Sequence, residues 1–183
     1  FIGLYTVAVA KRIGKDGKVI AFEPDKKNAD ALKKHLRLNK VFSKVEVINA
    51  AVGDINGVLT FHALSNDYSH VALLSNVNVE RCIQIQSKTL DSVFHNKRVD
   101  VIKIDVEGYE GKVLLGARNL LKRKKGYPRA IFIEVHPYVW KELETTAEEL
   151  VSLLTNAGYK VEKIDRNLVD KLEHYGEIVA VKE

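Results

Sequence analysis

The 183-residue chain has a single cysteine, Cys82, and no methionine. A lone thiol can form neither an intramolecular disulfide nor a cysteine-based zinc site, so a reducing, cytoplasmic setting is expected. No apolar run approaches the roughly 20 residues needed to cross a bilayer, so no membrane span is expected. Internal repeats and low-complexity segments are lacking as well. The chain opens directly on the apolar stretch FIGLYTVAVA, with no initiator and no signal-like basic region. The expectation is that an N-terminal strand and the start of a glycine-rich motif are missing before Phe1.

What is present fits one globular domain over residues 1–183, with 46% hydrophobic and 29% charged residues. The net charge of +5 suits an anionic partner, but charge alone speaks to solubility rather than to function. The densest basic run, Lys122–Lys125, closes a predicted helix. Cations there oppose the C-terminal dipole, and a solvated helix end explains them better than a nucleic-acid patch.

The stretch Val99–Glu110, VDVIKIDVEGYE, organises the rest. Val99–Ile104 reads as a strand buried on both faces of a parallel sheet. Asp105 and Glu107 follow where the strand gives out, Gly108 permits a tight turn, and a helix is predicted from near Tyr109. Ligand crevices of open α/β sheets lie outside the carboxyl ends of the strands, which makes these acids site candidates. Either acid alone also reads as a cap of the next helix.

Elsewhere strands alternate with helices. Gly3–Ile13 is predicted helical, Lys18–Phe22 a strand, and Pro24 the start of a helix with Ala29, Leu32 and Leu36 as its apolar stripe. Val45–Ile48 is a third strand. Asn56-Gly57 between Ala50–Val52 and Val58–Phe61 predicts a hairpin. Leu64–Glu80 reads as a surface excursion, Cys82–Gln86 as a strand, and Thr89–Phe94 as a short helix capped by Thr89. Val113, Leu114, Ala117, Leu120 and Leu121 recur at helical spacing, and Ala130–Val135 is a buried strand ending in Glu134, with His136 close behind. Thr146 and Glu149 form a capping box for a helix that stops before Gly158, and Tyr159–Ile164 with Ile178–Val181 makes a closing pair. The pattern predicts a doubly wound, mostly parallel α/β sheet with a C-terminal antiparallel hairpin.

Glu23 is the second anchor. A carboxylate is a pure acceptor with two oxygens, so at a strand's carboxyl end it can take both hydroxyls of a ribose. Gly3 falls where a glycine turn lets backbone approach a cofactor. Glycine turn, helix, strand and acid in that order describe a nucleoside-binding half, which a nicotinamide enzyme would share.

The block Val99–Ala117, VDVIKIDVEGYEGKVLLGA, resembles the signature of the FkbM-type methyltransferases, which use S-adenosylmethionine on the class I, Rossmann-like α/β fold. FIGLYT, AFEPDKKN, NAAVGDINGVLTF, TLDSV and FIEVH agree with that family in the same order. The acidic D-x-G-x part of the family's first motif is not present. The resemblance implies that Gly3 lines the methionine portion of the cofactor and Glu23 holds its ribose. It also implies that Ala51 and Val52 flank the adenine, that Asp54 meets its exocyclic amine, and that Asp105 faces the sulfonium. Asp54 beside Asn56-Gly57 equally reads as a turn initiator.

The implied reaction is methyl transfer to a hydroxyl of a small molecule, sugar or lipid, with Asp105, Glu107, Glu134 and His136 as candidate bases. His136 has the most suitable unperturbed pKa, although a histidine before Pro137 also suits a structural role. Asp105 and Glu134 together also suit a hard divalent metal, which is the less favoured alternative. Pro137–Thr145, with Tyr138 and Trp140, is expected to contact the acceptor together with the Leu64–Glu80 excursion, although both rings equally suit core packing.

Three rival readings remain. The front half is similar to tRNA guanine methyltransferases, but no Asn-Pro-Pro-Tyr-like base pocket follows the fourth strand and no RNA-binding module is appended. The others are a dehydrogenase-like cofactor module and a non-catalytic nucleotide-binding module, the latter opposed by intact acids at the strand ends.

Overall fold

The computed structural model describes residues 2–63, 71–72, 81–141, 143–164 and 175–183. The chain divides into two compact units, residues 1–51 and 52–183. No helix among the described residues is long and apolar enough to cross a membrane.

The first unit is a β-α-β crossover preceded by a helix. Helix α1 (Leu4–Arg12), strand β1 (Val19–Phe22), helix α2 (Lys26–Leu38) and strand β2 (Val45–Ile48) follow one another. The two strands pair in parallel, Val19 opposite Val45 through Phe22 opposite Ile48. The predicted stripe is present, and Leu32 and Leu36 of α2 pack with Ala10 of α1 and with Val41 and Val45. Each buried leucine contributes roughly 2 kcal/mol by leaving water. Helix α2 begins two residues after Pro24, because the Asp25 side chain accepts the Asn28 N–H at 2.8 Å and so becomes the cap.

Strand β3 (Ala51–Val52) falls at the boundary in sequence, and the second unit then holds β4 (Gly57–Ala63), β5 (Val71–Ala72) and β6 (Arg81–Lys88). The predicted hairpin does not form. Strand β4 pairs antiparallel with β6, Gly57 opposite Ser87 through Ala63 opposite Arg81, and not with β3. The Asn56 side chain is otherwise engaged: its Oδ1 accepts the Thr89 N–H at 3.0 Å and the Ser92 hydroxyl at 2.8 Å. The Leu64–Glu80 excursion lies outside the described residues apart from β5.

Helix α3 (Leu90–Val93) is capped by Thr89 as predicted, its hydroxyl accepting the Ser92 N–H. Strand β7 (Val101–Ile104), helices α4 (Glu110–Leu115) and α5 (Arg118–Leu121), and strand β8 (Ala130–Val135) form a second parallel crossover. The helical run breaks at Gly116, where any side chain would strike the Gly53 carbonyl. Val113, Leu114, Leu120 and Leu121 are buried with Ile131, Ile133 and Val135. Strand β7 is not buried on both faces: Val101 is 53% exposed. Within this unit it is the end strand of a sheet ordered β7-β8-β10-β9, so its outer side has no neighbouring strand there.

Helix α6 (Ala147–Thr155) carries the complete capping box of Thr146 and Glu149. Strands β9 (Lys160–Lys163) and β10 (Gly176–Val181) form the antiparallel closing pair, with β10 lying between β8 and β9. The architecture is an α/β fold of mixed parallel and antiparallel sheet.

Candidate active site

Strands β7 and β8 run parallel, with Ile104 opposite Ile133, so their carboxyl ends lie side by side. Alternation then places Lys103 and Asp105 on the same face as Glu134. The Lys103 ammonium donates to Glu134 Oε2 at 3.1 Å and lies 4.0 Å from Asp105 Oδ2. Tyr175, entering β10, donates its hydroxyl to Glu134 Oε1.

Beyond β7 the backbone turns through two left-handed residues, Glu107 at φ 51° and Gly108 at φ 101°. Gly108 has no alternative, because a Cβ there would come within 1.8 Å of Val139 Cγ2. The turn brings Glu110 inward. Its carboxylate is wholly buried, and it accepts the Gly108 N–H at 2.8 Å and the Trp140 indole N–H at 2.9 Å. His136 Nδ1 lies 2.8 Å from the same Oε1. The other ring nitrogen, Nε2, faces Glu107 Oε2 at 3.6 Å and Glu134 Oε1 at 3.9 Å. Tyr138 donates to Glu107 Oε2 at 2.7 Å, and the rings of Tyr138 and Tyr175 stand edge-on to the imidazole.

These surroundings set the titrations. Burial raises the Asp105 carboxyl above its ordinary value, and Glu134 adds to this while Lys103 opposes it. Burial works the same way on Glu134, but its hydrogen bonds from Tyr175 and Lys103 outweigh it and hold that group low. For His136 burial disfavours the imidazolium, yet the Glu110 hydrogen bond and the charges of Glu107, Glu110 and Asp105 raise its pKa overall. The Tyr175 phenol is pushed up to about 12, first by its bond to Glu134.

The structure thus brings together all four candidate bases, Asp105, Glu107, Glu134 and His136. Sequence reasoning missed Glu110, because an acid in the first turn of a helix is ordinary there. It also missed Tyr175, which reaches the site only through the pairing of β10 with β8. Trp140 is core, as one of its two readings had it, while Tyr138 is exposed. Asp105, Glu134 and His136 present ligand atoms within 4.8 Å of one another. A metal fits them poorly: both Glu134 oxygens already accept hydrogen bonds, and the Lys103 ammonium holds the cationic position beside Asp105.

The expected cofactor residues are placed as follows. In the first unit Gly3 precedes α1 at φ 85°, where a Cβ would meet Leu32 Cδ1 at 2.6 Å, so packing on α2 accounts for the glycine. Glu23 stands at the end of β1, where its Oε1 accepts the Asp25 N–H at 2.9 Å and burial raises its carboxyl. Ala51 is buried and Val52 half-buried. In the second unit Asp54 Oδ2 lies 3.7 Å from Lys112 Nζ.

An α/β crossover with acids at its strand ends and a closing antiparallel pair is a methyltransferase-like fold, and solved structures agree. Methyltransferase FkbM from Methylobacillus flagellatus KT superposes with a TM-score of 0.58 at 19% identity, over 96% of this chain and 39% of that one. A protein designated an rRNA methylase from Clostridium thermocellum gives 0.57 at 10% identity, over 97% of this chain and 78% of that one. The family model for the methyltransferase FkbM domain matches residues 2–161, and the chain belongs to that family. It spans about two-fifths of the length of the Methylobacillus chain. Comparison with curated proteins gave no match.

Proposed function

We propose that residues 1–183 act as one S-adenosylmethionine-dependent methyltransferase domain, cytoplasmic and of the doubly wound class I type, that methylates a hydroxyl of a small molecule, sugar or lipid. The observation that carries this reading is the His136 imidazole, held by a buried carboxylate on one nitrogen and turned toward strand-end acids on the other. Family membership supports the cofactor. When bound, it supplies an electrophilic methyl group on a sulfonium.

The protein's own work is to bind, orient and deprotonate. Glu23, an acceptor at the end of β1, takes the ribose hydroxyls, with Gly3 lining the methionine portion and Ala51 and Val52 the adenine. Asp54 takes the exocyclic amine by exchanging Lys112 for it. Asp105 places negative charge beside the sulfonium. His136 Nε2 would accept the proton of the acceptor hydroxyl as that oxygen takes the methyl group. Glu107 and Glu134 then stabilise the imidazolium. The rRNA-methylase designation of the Clostridium protein does not shift the acceptor, because 10% identity speaks to fold alone.

Calorimetric titration of S-adenosylmethionine into the wild-type chain and a Glu23→Ala variant tests the reading. Saturable binding in the first and its loss in the second is expected. A folded wild type that binds nothing would end the methyltransferase proposal, and nicotinamide nucleotides would be titrated next.

A further inference from the structure

Glu110 has no part in the chemistry just described, yet it is the most deeply buried ionisable side chain of the site. We propose that Glu110 is a positioning residue, which fixes neutral His136 as the Nδ1–H tautomer and so leaves the Nε2 lone pair facing the strand-end acids as the proton acceptor.

The argument is one of donors and acceptors. An ionised carboxylate can only accept, and a main-chain N–H and an indole N–H can only donate. The Gly108 amide donates to Oε1 and the Trp140 indole to Oε2, at 2.8 and 2.9 Å. His136 Nδ1 is 2.8 Å from Oε1. A bare Nδ1 there would set two lone pairs against each other in a buried site, where the repulsion is poorly screened. Nδ1 therefore carries the hydrogen, and neutral imidazole has only one.

Nothing facing Nε2 reverses this. Its acid neighbours, Glu107 and Glu134, stand at 3.6 and 3.9 Å, beyond hydrogen-bond length. The other ionisable groups around the ring are Asp105 after β7, Lys103 on β7, Tyr138 after β8 and Tyr175 before β10. The hydroxyls of both tyrosines are committed to Glu107 and Glu134. Among these groups Glu110 alone lies within hydrogen-bond distance of Nδ1.

Glutamine at position 110 would disturb this set without changing its size. Its amide NH2 must face either the Trp140 indole N–H or the Gly108 N–H, donor against donor in both cases, so both orientations are expected to be populated. On the Gly108 side it would also donate to Nδ1 and drive the ring to the Nε2–H form. Replacing Trp140 by phenylalanine in the same chain removes the first conflict, so the amide NH2 can turn to position 140 and its carbonyl back to Nδ1–H.

The catalytic consequence rests on the methyl-transfer reading, but the tautomer does not. The test is long-range proton–nitrogen NMR on the full chain labelled with 15N-histidine, above the pH at which His136 titrates. His136 signals are assigned by their loss in His136→Gln. We expect Nδ1 protonated and Nε2 bare in the wild type, a shift toward Nε2–H in Glu110→Gln, and restoration of Nδ1–H in Glu110→Gln with Trp140→Phe. A wild-type ring protonated at Nε2 would overturn the proposal, and so would a Glu110→Gln with Trp140→Phe variant that is folded and carries more Nε2–H than Glu110→Gln alone. If Glu110→Gln does not fold, the wild-type spectrum decides alone. Cofactor binding with the wrong tautomer defeats this inference only. The expected tautomer without cofactor binding defeats the methyltransferase reading only.

Discussion

At the scale of single residues, Gly108 and His136 carry the site. Gly108 combines a left-handed backbone with a neighbour, Val139, already in contact where a side chain would go. Gly108→Ala should cost about 3 kcal/mol, part strain and part overpacking. Urea unfolding measures this, and adding Val139→Ala should recover the packing part only. A Gly108→Ala variant as stable as wild type would mean that the turn relaxes freely.

His136 makes stability depend on pH in a direction that can be worked out. Its pKa is raised above the ordinary 6.5 because hydrogen bonding to Glu110 and nearby carboxylates outweigh burial. The folded chain therefore holds this proton more tightly than the unfolded chain. That stabilisation is full below about pH 6.5 and is lost as the pH rises through the folded value. Glu134, held low, acts in the opposite sense but only in the acid range, so the window above 6.5 belongs to His136. Wild-type stability in urea should fall as the pH rises above 6.5, relative to His136→Gln. Parallel profiles for the two chains would remove the histidine from this role. If His136 is the base, transfer should rise with pH over the same window, since only the neutral ring accepts a proton.

At the scale of elements, what was legible in sequence and what was not divide along the range of the interactions. Thr89 and the Thr146–Glu149 box cap their helices through bonds spanning three residues, so local pattern suffices to find them, whereas the Asp25 cap was passed over in favour of a start at Pro24. The acids of β7 and β8 were legible as site candidates because each ends its own strand. The hairpin at Asn56-Gly57 was misread because its turn signal is real but weaker than a distant claim: Asn56 is tied to the start of α3, more than thirty residues on. Burial of β7 was misread because Val, Ile and Ile look alike in a strand that ends the sheet of its own unit and in a central one. Glu110 was invisible because its partners, His136 and Trp140, come from the far side of a crossover. The Asn56 tie yields a prediction. Asn56→Ala strands the Thr89 N–H, while the Ser92 hydroxyl keeps the Thr89 carbonyl at 2.9 Å, and should cost about 1–2 kcal/mol, whereas Asn56→Asp keeps the acceptor and should cost less. Equal losses in urea titrations of the two variants would show that the acceptor oxygen is not what matters.

At the scale of the whole molecule the question is whether a charge of +5 marks a nucleic-acid partner. Several of its cations are already committed inside the fold. Arg123, in the densest basic run, donates to the carbonyls of Phe94, His95 and Lys97. Lys182 donates to those of Leu121 and Ala157 and stands over the rings of Tyr127 and Tyr159. Lys103 belongs to the acid cluster and Lys112 faces Asp54. Attraction of the other cations to a polyanion arises from counterion release, so it weakens steeply with salt. In a gel-shift titration against bulk tRNA, any complex seen at about 50 mM salt should be gone by about 200 mM. Arg123→Ala should lower stability, through its lost carbonyl bonds, more than it lowers this binding. A complex that survives at the higher salt, and that Lys122→Ala or Lys124→Ala weakens, would mean that the basic run is a binding face, and the acceptor would then be sought among RNAs.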